Sequence, residues 1–266
     1  MAGPRTLAWL LAAGLAGAGP SVAHAEPTPL GPLVDVSLGV EVGTRSLTYS
    51  DPLTANLRPY DVAAVPLVVP ALEVYPLSRT YVPIVRELGL VASYGRALAL
   101  TSATSGGEPL DTTWDRLLVG ARQRVPLGGA GDAKLGVSGV YTMQRFTFAE
   151  APEGLAAELP EVDYRTVRIA VDVALPVGPL RVTALGGYHL VLDTGPVGDR
   201  LRDGRAHGME LALGAAWTFT EGFDLRLRAT YERTVYAFDP VPGDAYVAGG
   251  ALDQMLHGGL AVGFTR

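Results

Sequence analysis

Three side chains in the second half of the sequence could perform acid–base chemistry. His189 lies four residues before Asp193, and His207 begins the next apolar stretch of the chain. A histidine hydrogen-bonded to a carboxylate can act as a general base in hydrolysis. His189, Asp193 and His207 therefore form one candidate site. No serine in the nucleophile motif G-x-S-x-G occurs in the sequence, and an isolated histidine is usually a polar surface residue, so we predict no catalytic residues.

A larger set of charged residues recurs at alternate positions of stretches that are otherwise apolar. If these stretches share one interior, the charges must be paired or solvated there. We expect a mutually neutralising network, and the functional alternative is a narrow path for a solute or an ion, lined by charge. The predicted interior charges are Glu41, Arg45, Glu73, Glu87, Arg116, Arg122, Arg124, Arg168, Asp172, Arg226, Arg228 and Glu232.

Motifs for a cofactor or a metal ion are missing from the sequence. There is no cysteine, no histidine cluster with metal-ligand spacing and no P-loop. The glycine-rich string GLAGAG lies in the N-terminal segment rather than between a strand and a helix. We therefore predict neither a cofactor nor a metal site.

The N-terminus has the pattern of a secretory signal peptide. Arg5 precedes the apolar run Leu7–Leu15, and Ala23-His24-Ala25 provides the small residues that signal peptidase recognises. We predict a signal peptide over residues 1–25, cleaved after Ala25. A short segment, 26–32, would follow it, and a single domain would occupy residues 33–266.

Composition narrows the class of that domain. Removing the signal takes one of the 21 basic residues and none of the 27 acidic ones, so the mature chain is acidic and a nucleic-acid partner is not expected. The chain is 48% hydrophobic and has 33 glycines, 20 prolines and only 18% charged residues. After the signal, no run of 18 apolar residues offers a spanning helix. The apolar side chains of the mature chain must therefore be shielded from water without a membrane-spanning helix.

Strict alternation of apolar and polar residues predicts β-strands through most of the mature chain. The segment RIAVDVALPVGPLRVTALGGYHLVL, residues 168–192, shows two alternating runs on either side of a Pro-Val-Gly-Pro turn. Ten strands are predicted, over 33–49, 65–77, 83–100, 112–127, 133–149, 163–176, 179–193, 207–220, 223–238 and 251–265.

The connections between these strands alternate in length. Short turns (LSRTYV, GGAGD, PVGP and TEGF) interleave with long loops at 50–64, 101–111, 150–162, 194–206 and 239–250. Sorting of loops by length is typical of an up-and-down transmembrane barrel, with short periplasmic turns and longer external loops. Glycines share the polar face of the predicted strands, where small residues relieve crowding inside a narrow barrel.

Taken together, the signal pattern, the alternation, the loop lengths and the closing strand HGGLAVGF give a chain that resembles bacterial outer-membrane β-barrel proteins from Leu33 to Arg266. The resemblance implies an all-β, up-and-down antiparallel transmembrane barrel of about ten strands, with eight to twelve possible. It implies location in the outer membrane of a Gram-negative bacterium. The implied partners are outer-membrane lipid, the barrel assembly machinery and periplasmic chaperones.

The expected function is that of a non-catalytic outer-membrane barrel, either structural or a narrow pore with a charged lumen. Two alternatives stay open. One is a barrel hydrolase whose site lies at the external rim, where His189, Asp193 and His207 would meet. The other is a soluble periplasmic β-sandwich binding protein, in which the polar face would lie outside. The solute or ion that a pore would pass is not predicted.

Overall fold

A computed structural model describes residues 32–98, 100–103, 109–128, 133–148, 161–201 and 204–266. The predicted signal peptide, residues 1–25, and residues 26–31 lie outside the described part. Within it, the strands are β1 (Val34–Ser50), β2 (Tyr60–Val74), β3 (Leu88–Ala97), β4 (Thr101–Ala103), β5 (Pro109–Pro126), β6 (Lys134–Phe148), β7 (Val162–Val177), β8 (Leu180–Asp193), β9 (Arg205–Thr220), β10 (Phe223–Ala237) and β11 (Gly250–Thr265).

These strands form one closed antiparallel barrel. Each long strand pairs with its neighbours in chain order, and β11 pairs back on β1 from Asp35–Thr265 to Ser50–Gly250. The short β4 pairs with β5 beyond the end of β3, so β3 and β4 together occupy one position in the wall. The predicted ten-stranded, up-and-down barrel is confirmed. The β-sandwich alternative is wrong, because a single sheet closes on itself.

The two ends of the barrel differ in their connections. At the end that holds Val34 and Thr265, which we call the inner end, β7 and β8 are joined by two residues with Gly178 at φ +60°, and β9 and β10 by two residues with Gly222 at φ +78°. A positive φ is what such tight reversals require of one residue, and glycine adopts it without steric cost. The connections at the outer end are longer than these two turns, but the inner connection between β2 and β3 spans 75–87 and is longer than the outer loop 51–59, so the predicted sorting of loops by length is broken there.

The connection between β2 and β3 departs from its prediction. Residues Pro83–Arg86, expected to begin a strand, form the short helix α1, and β3 begins only at Leu88. Proline at the first position favours a helical turn because it has no N–H to offer a ladder. The Gln123 side chain then donates to the Ile84 carbonyl at 3.0 Å and holds the helix against β5.

Strand β2 begins at Tyr60, five residues before the predicted start. A β-bulge interrupts the ladder between β1 and β2 at Gly43–Arg45, with one extra residue on β2 and Ala64 at φ +61°. A second short helix, α2 (Pro196–Arg200), lies in the outer loop between β8 and β9 and buries Val197. Among the described residues, no helix is long and apolar enough to cross a membrane.

Alternation along each strand separates two faces of the wall. Outward side chains are large, apolar and exposed, as at Leu38 (60%), Leu213 (66%) and Leu260 (56%). Inward positions hold glycines, charged groups and aromatic rings. A water-soluble protein does not expose so continuous an apolar surface, whereas a membrane barrel presents it to lipid.

Candidate functional site: the filled lumen

The interior of the barrel holds side chains in successive layers, beginning at the inner end. In the first, Arg226 Nη1 lies 2.7 Å from Asp35 Oδ1 and the same guanidinium lies 2.5 Å from Asp224. Arg122 bridges Glu73 at 2.9 Å and Asp172 at 2.5 Å. Each arginine therefore joins two carboxylates, and these ion pairs hold the planar guanidinium groups in place across the inner opening of the barrel.

Tyr75 closes part of the same layer. Its ring is buried below the Arg124 guanidinium, whose carbon lies 3.4 Å from the ring centroid, and Arg124 also pairs with Glu87 at 2.9 Å. The Tyr75 hydroxyl donates to Glu73 at 2.7 Å. Burial and the Glu73 carboxylate raise the pKa of the Tyr75 phenol, so it stays a hydrogen-bond donor.

The middle layer contains two connected groups of charges. Arg116 pairs with Glu41 at 2.7 Å and lies 3.8 Å from Glu232. Glu210 accepts from Arg168 at 2.7 Å and from Arg228 at 3.3 Å, and its side chain is 3% exposed. Opposite charges are present in each group, as low-dielectric surroundings demand of buried ions.

A third group lies farther toward the outer end. Arg45 and Asp253 are joined at 3.0 Å with neither side chain exposed. The Tyr164 hydroxyl donates to Asp253 at 2.6 Å, and Tyr236 donates to the Tyr164 oxygen at 2.5 Å. Asp253 of β11 is thereby tied directly to Arg45 of the neighbouring β1 and to Tyr164 of β7 across the lumen, and through Tyr164 to Tyr236 of β10.

Apolar side chains fill the lumen around and above this third group. We call them the apolar plug, and every member is 9% exposed or less. Rings within it pack edge to face, as in Trp114 against Phe146 at 5.7 Å and Phe146 against Phe148 at 5.4 Å. The apolar plug comprises Leu47, Trp114, Phe146, Phe148, Val162, Val197, Leu201 and Phe238.

Comparison with known proteins agrees with this architecture. No family model matches the sequence, and no curated protein matches it. The outer membrane protease OmpT from Escherichia coli has a similar structure, with a TM-score of 0.51 and 11% identity over 88% of this chain and 96% of that chain. The fold is that of a bacterial outer-membrane β-barrel.

Other outer-membrane barrels are similar at lower scores. The translocator domain of the autotransporter NalP from Neisseria meningitidis has a TM-score of 0.43 and 12% identity, covering 88% of each chain. Neisserial surface protein A has a TM-score of 0.33 and 11% identity over 85% of this chain and 96% of that one. The names of these proteins describe different activities, and identities this low show the fold alone.

In this outer-membrane barrel, eleven of the twelve charged residues singled out from the sequence lie at inward strand positions, and Glu87 lies in the connection just before β3. Each of the twelve has an oppositely charged neighbour within 4.0 Å. Several partners were not singled out, above all Asp253, Tyr164 and Glu210. Alternation in the sequence could have found Asp253, because Asp253 and His257 occupy inward positions of β11 on either side of Met255. Pairing across the lumen depends on strand stagger, which alternation leaves undetermined.

The histidine site proposed from the sequence does not assemble. His189 faces the lumen, where its Nδ1 lies 3.1 Å from Thr166 Oγ1 and its Nε2 lies 3.5 Å from Glu210. His207 is on the outward face, stacked on Tyr188 at 6.4 Å. Asp193 is at the outer rim, where it accepts from the Gly195 N–H at 2.9 Å.

The reason for this separation is the register of β8 and β9. Leu190, not His189, is paired with His207, so alternation places the two histidines on opposite sides of the wall. Across the described ranges, no group of three or more histidine, aspartate or glutamate side chains is arranged to hold a metal ion.

Proposed function

We propose that this protein is a non-catalytic, structural outer-membrane barrel whose lumen is closed to solutes. The observation that supports this function is the apolar plug, in which Trp114 and Phe146 are completely buried inside the outer half of the lumen. A barrel of about eight strands is just filled by its side chains, and open channels need about sixteen. Ten strands therefore leave an interior that these rings can occupy.

Ion-paired arginines close the inner half of the lumen, as the apolar plug closes the outer half. A permeating ion would have to pass Arg122, which is held by Glu73 and Asp172, and then Arg116, which is held by Glu41. Opening either layer would leave a buried charge without its partner, at a cost of several kcal/mol, on the order of 3–5. The polar lumen thus supports rigidity better than conduction.

Planar-bilayer recording tests this proposal. Purified protein inserted into a lipid bilayer is expected to add no discrete conductance steps at moderate voltage. A variant in which Arg122, Arg116, Trp114 and Phe146 are all replaced by alanine is the matched control, and it is expected to conduct because the charged layers lose their arginines and the apolar plug loses its two fully buried rings. Regular unitary steps from the unmodified protein would contradict the proposal and favour a narrow pore.

A hydrolase has one observation in its favour, the series Thr166, His189 and Glu210, in which Thr166 Oγ1 is hydrogen-bonded to His189 Nδ1 and His189 Nε2 lies 3.5 Å from Glu210. Thr166, however, is 4% exposed and its hydroxyl also lies 2.5 Å from that of Thr142. Glu210 is already bound by two arginines. A substrate cannot reach this hydroxyl, so we expect no labelling of Thr166 by a fluorophosphonate probe. Labelling that disappears in Thr166→Val would support an enzyme.

We further propose that the protein resides in the outer membrane of a Gram-negative bacterium, after export by its N-terminal signal. Lipid would surround the outward apolar face, and assembly machinery and periplasmic chaperones would deliver the chain. Cell fractionation tests the location: the protein should be extracted only by detergent. It should also migrate faster on gels before boiling than after it. Release by osmotic shock without detergent would contradict it.

A further inference from the structure

One connection at the inner end is longer than a strand reversal requires. Residues 75–87 join β2 to β3, whereas two residues join β7 to β8 and two join β9 to β10. The connection leaves the inner rim beside the start of β1, where the Tyr75 N–H donates to the Leu33 carbonyl at 2.8 Å. We call its residues 77–86, which include α1, the rim segment. The extra residues form a surface that a tight turn would not provide.

The rim segment lies against the outside of the wall rather than beneath the lumen. Gln123 of β5 occupies an outward position, because Arg122 and Arg124 on either side of it point inward to their carboxylates. The Gln123 side-chain amide donates to the Ile84 carbonyl at 3.0 Å and to the Arg124 carbonyl at 2.9 Å. The helix α1 is therefore attached to the face of β5 that carries the outward apolar side chains.

Large apolar side chains of the rim segment are exposed. The outward neighbours of Gln123, Leu88 on β3 and Val125 on β5, are exposed as well. The patch therefore continues into the outward apolar face of the barrel. Exposed apolar patches mark contacts with a membrane or with another protein. The exposed side chains of the rim segment include Tyr81 (101%), Val82 (53%) and Ile84 (75%).

Polar backbone groups of the rim segment find partners within the segment itself. The Thr80 N–H donates to the Leu77 carbonyl at 3.0 Å, and the Arg86 N–H donates to the Val82 carbonyl at 3.1 Å. The Thr80 hydroxyl also donates to the Leu77 carbonyl, at 2.9 Å. These groups need no water as a partner, so the segment can approach a region where water is scarce.

Aromatic side chains mark another part of the inner end. On β10 and β11, the outward rings of Phe223 and Phe264 have centroids 4.9 Å apart near the strand ends. Aromatic girdles at strand ends lie at the interface between membrane and water. The outward residues at the inner ends of β3 and β5 are the aliphatic Leu88 and Val125. On this side of the barrel, Tyr81 of the rim segment supplies the aromatic ring.

The charge of the rim segment is suited to an anionic headgroup. Arg79 is exposed, two residues before Tyr81. Residues 77–86 contain two arginines and no acidic residue, so nothing within the segment repels an anion. Basic side chains beside aromatic rings hold proteins at the level of lipid headgroups.

We propose that the rim segment is an interfacial anchor that docks on anionic glycerophospholipid in the leaflet at the inner end of the barrel. The proposal rests on the proposed location of the barrel in a membrane. Tyr81, Val82 and Ile84 lie among the lipid glycerol groups and the first acyl carbons, and Arg79 pairs with a headgroup. The occupant is lipid because the patch is continuous with the outward apolar face and carries positive charge at its edge.

Fluorescence quenching in vesicles tests the depth of the rim segment. The chain has no cysteine, so Ile84→Cys can carry the fluorophore NBD alone. A lipid nitroxide near the top of the acyl chain should quench it at least about twofold, because interfacial segments bury their apolar face roughly 5–10 Å deep. Glu221→Cys, exposed in the β9–β10 turn of the same end, is the control and should be quenched much less. Equal quenching at both positions would overturn the proposal.

Two further outcomes separate the anchor from the proposed location. Leu213→Cys, on the outward face of β9, should be quenched by a nitroxide at the middle of the acyl chain. Loss of quenching at Ile84 alone would overturn the anchor only, whereas loss at both Ile84 and Leu213 would overturn the membrane location as well. Blue-shifted emission at Ile84 without nitroxide quenching would show that a second copy of the protein covers the patch, and would also overturn the anchor.

Headgroup selectivity at the same position tests the role of Arg79. The label at residue 84 is quenched with trace amounts of nitroxide-labelled phosphatidylglycerol or phosphatidylcholine. Arg79→Gln should lower the preference for phosphatidylglycerol about fivefold, as expected for one arginine near an anionic surface. Arg181→Gln removes the same charge from an inward position of β8 and should leave the preference unchanged. Equal quenching by the two lipids in the unmodified sequence would overturn the assignment to an anionic headgroup.

Discussion

Arg45 of β1 and Asp253 of β11 form a fully buried ion pair, with Nη2 and Oδ2 separated by 3.0 Å, across the ladder that closes the barrel. Both residues sit at inward positions, and the guanidinium also lies 4.6 Å from the centroid of the Phe146 ring. The pair thus links closure of the wall to the packing of the apolar plug.

Removing one member of this pair should destabilise the barrel strongly. Asp253→Ala leaves the Arg45 guanidinium buried without its carboxylate, and we expect a loss of about 3–5 kcal/mol in the free energy of unfolding. The double variant Arg45→Leu/Asp253→Leu removes both charges and should recover a large part of that loss. Urea unfolding in detergent micelles measures both. Equal stability of Asp253→Ala and the unmodified protein would show that the pair contributes nothing.

Two glycines of β6 should respond in opposite ways to the same substitution. A side chain at Gly136 would collide with the Asp172 carboxylate that holds Arg122, whereas one at Gly139 meets no atom within 4 Å. Gly136→Val is expected to cost about 1–3 kcal/mol by overpacking, and Gly139→Val to be neutral or slightly stabilising. Thermal unfolding of the two variants provides the comparison. A similar loss in both would mean that lumen crowding is not the cause.

The assignment of the outward face to lipid predicts a depth-dependent cost for charge. Leu213→Arg places a guanidinium in the centre of the apolar band and should cost about 2–4 kcal/mol, whereas the same residue at Thr48, near the outer end of β1, should cost about 0–1. Folding into phospholipid vesicles across a denaturant gradient measures the difference. Equal tolerance at both positions would place the apolar band outside the bilayer.

The apolar plug should contribute far more to stability than the outward aromatic residues. Phe146 is completely buried and Phe219 is 49% exposed on the outside of β9. Phe146→Ala should therefore cost about 3–5 kcal/mol. Phe219→Ala loses only part of its contact with lipid and should cost much less. The heat-induced change in gel mobility should shift to lower temperature for the first variant only; parallel shifts would contradict a packed lumen.

The wall could be predicted from the sequence because each residue in a strand must face one side or the other. Val171 and Asp172 illustrate this, since their alternation alone places Val171 outward and Asp172 inward. The same logic could not predict that Pro83–Arg86 turns into a helix, because four residues are too few to show a period.

The candidate site was less predictable than the wall, since its contacts cross the lumen. Which carboxylate faces Arg45 depends on the stagger of β1 against β11, and a change of two residues would bring a different pair together. His189 and His207 show the related difficulty for neighbouring strands. A shift of a single residue in register would have placed both on one face.

The ion pair at the closing ladder also sets an order of events during biogenesis. Arg45 and Asp253 are separated by 208 positions in the chain, and Arg226 and Asp35, at the inner end, by 191. Neither early-synthesised residue can be neutralised by these partners until the last strands have been delivered. A chain that lacks β11 would therefore keep Arg45 on its first strand without the Asp253 carboxylate, which disfavours burial of the unfinished sheet and leaves it available to chaperones and proteases.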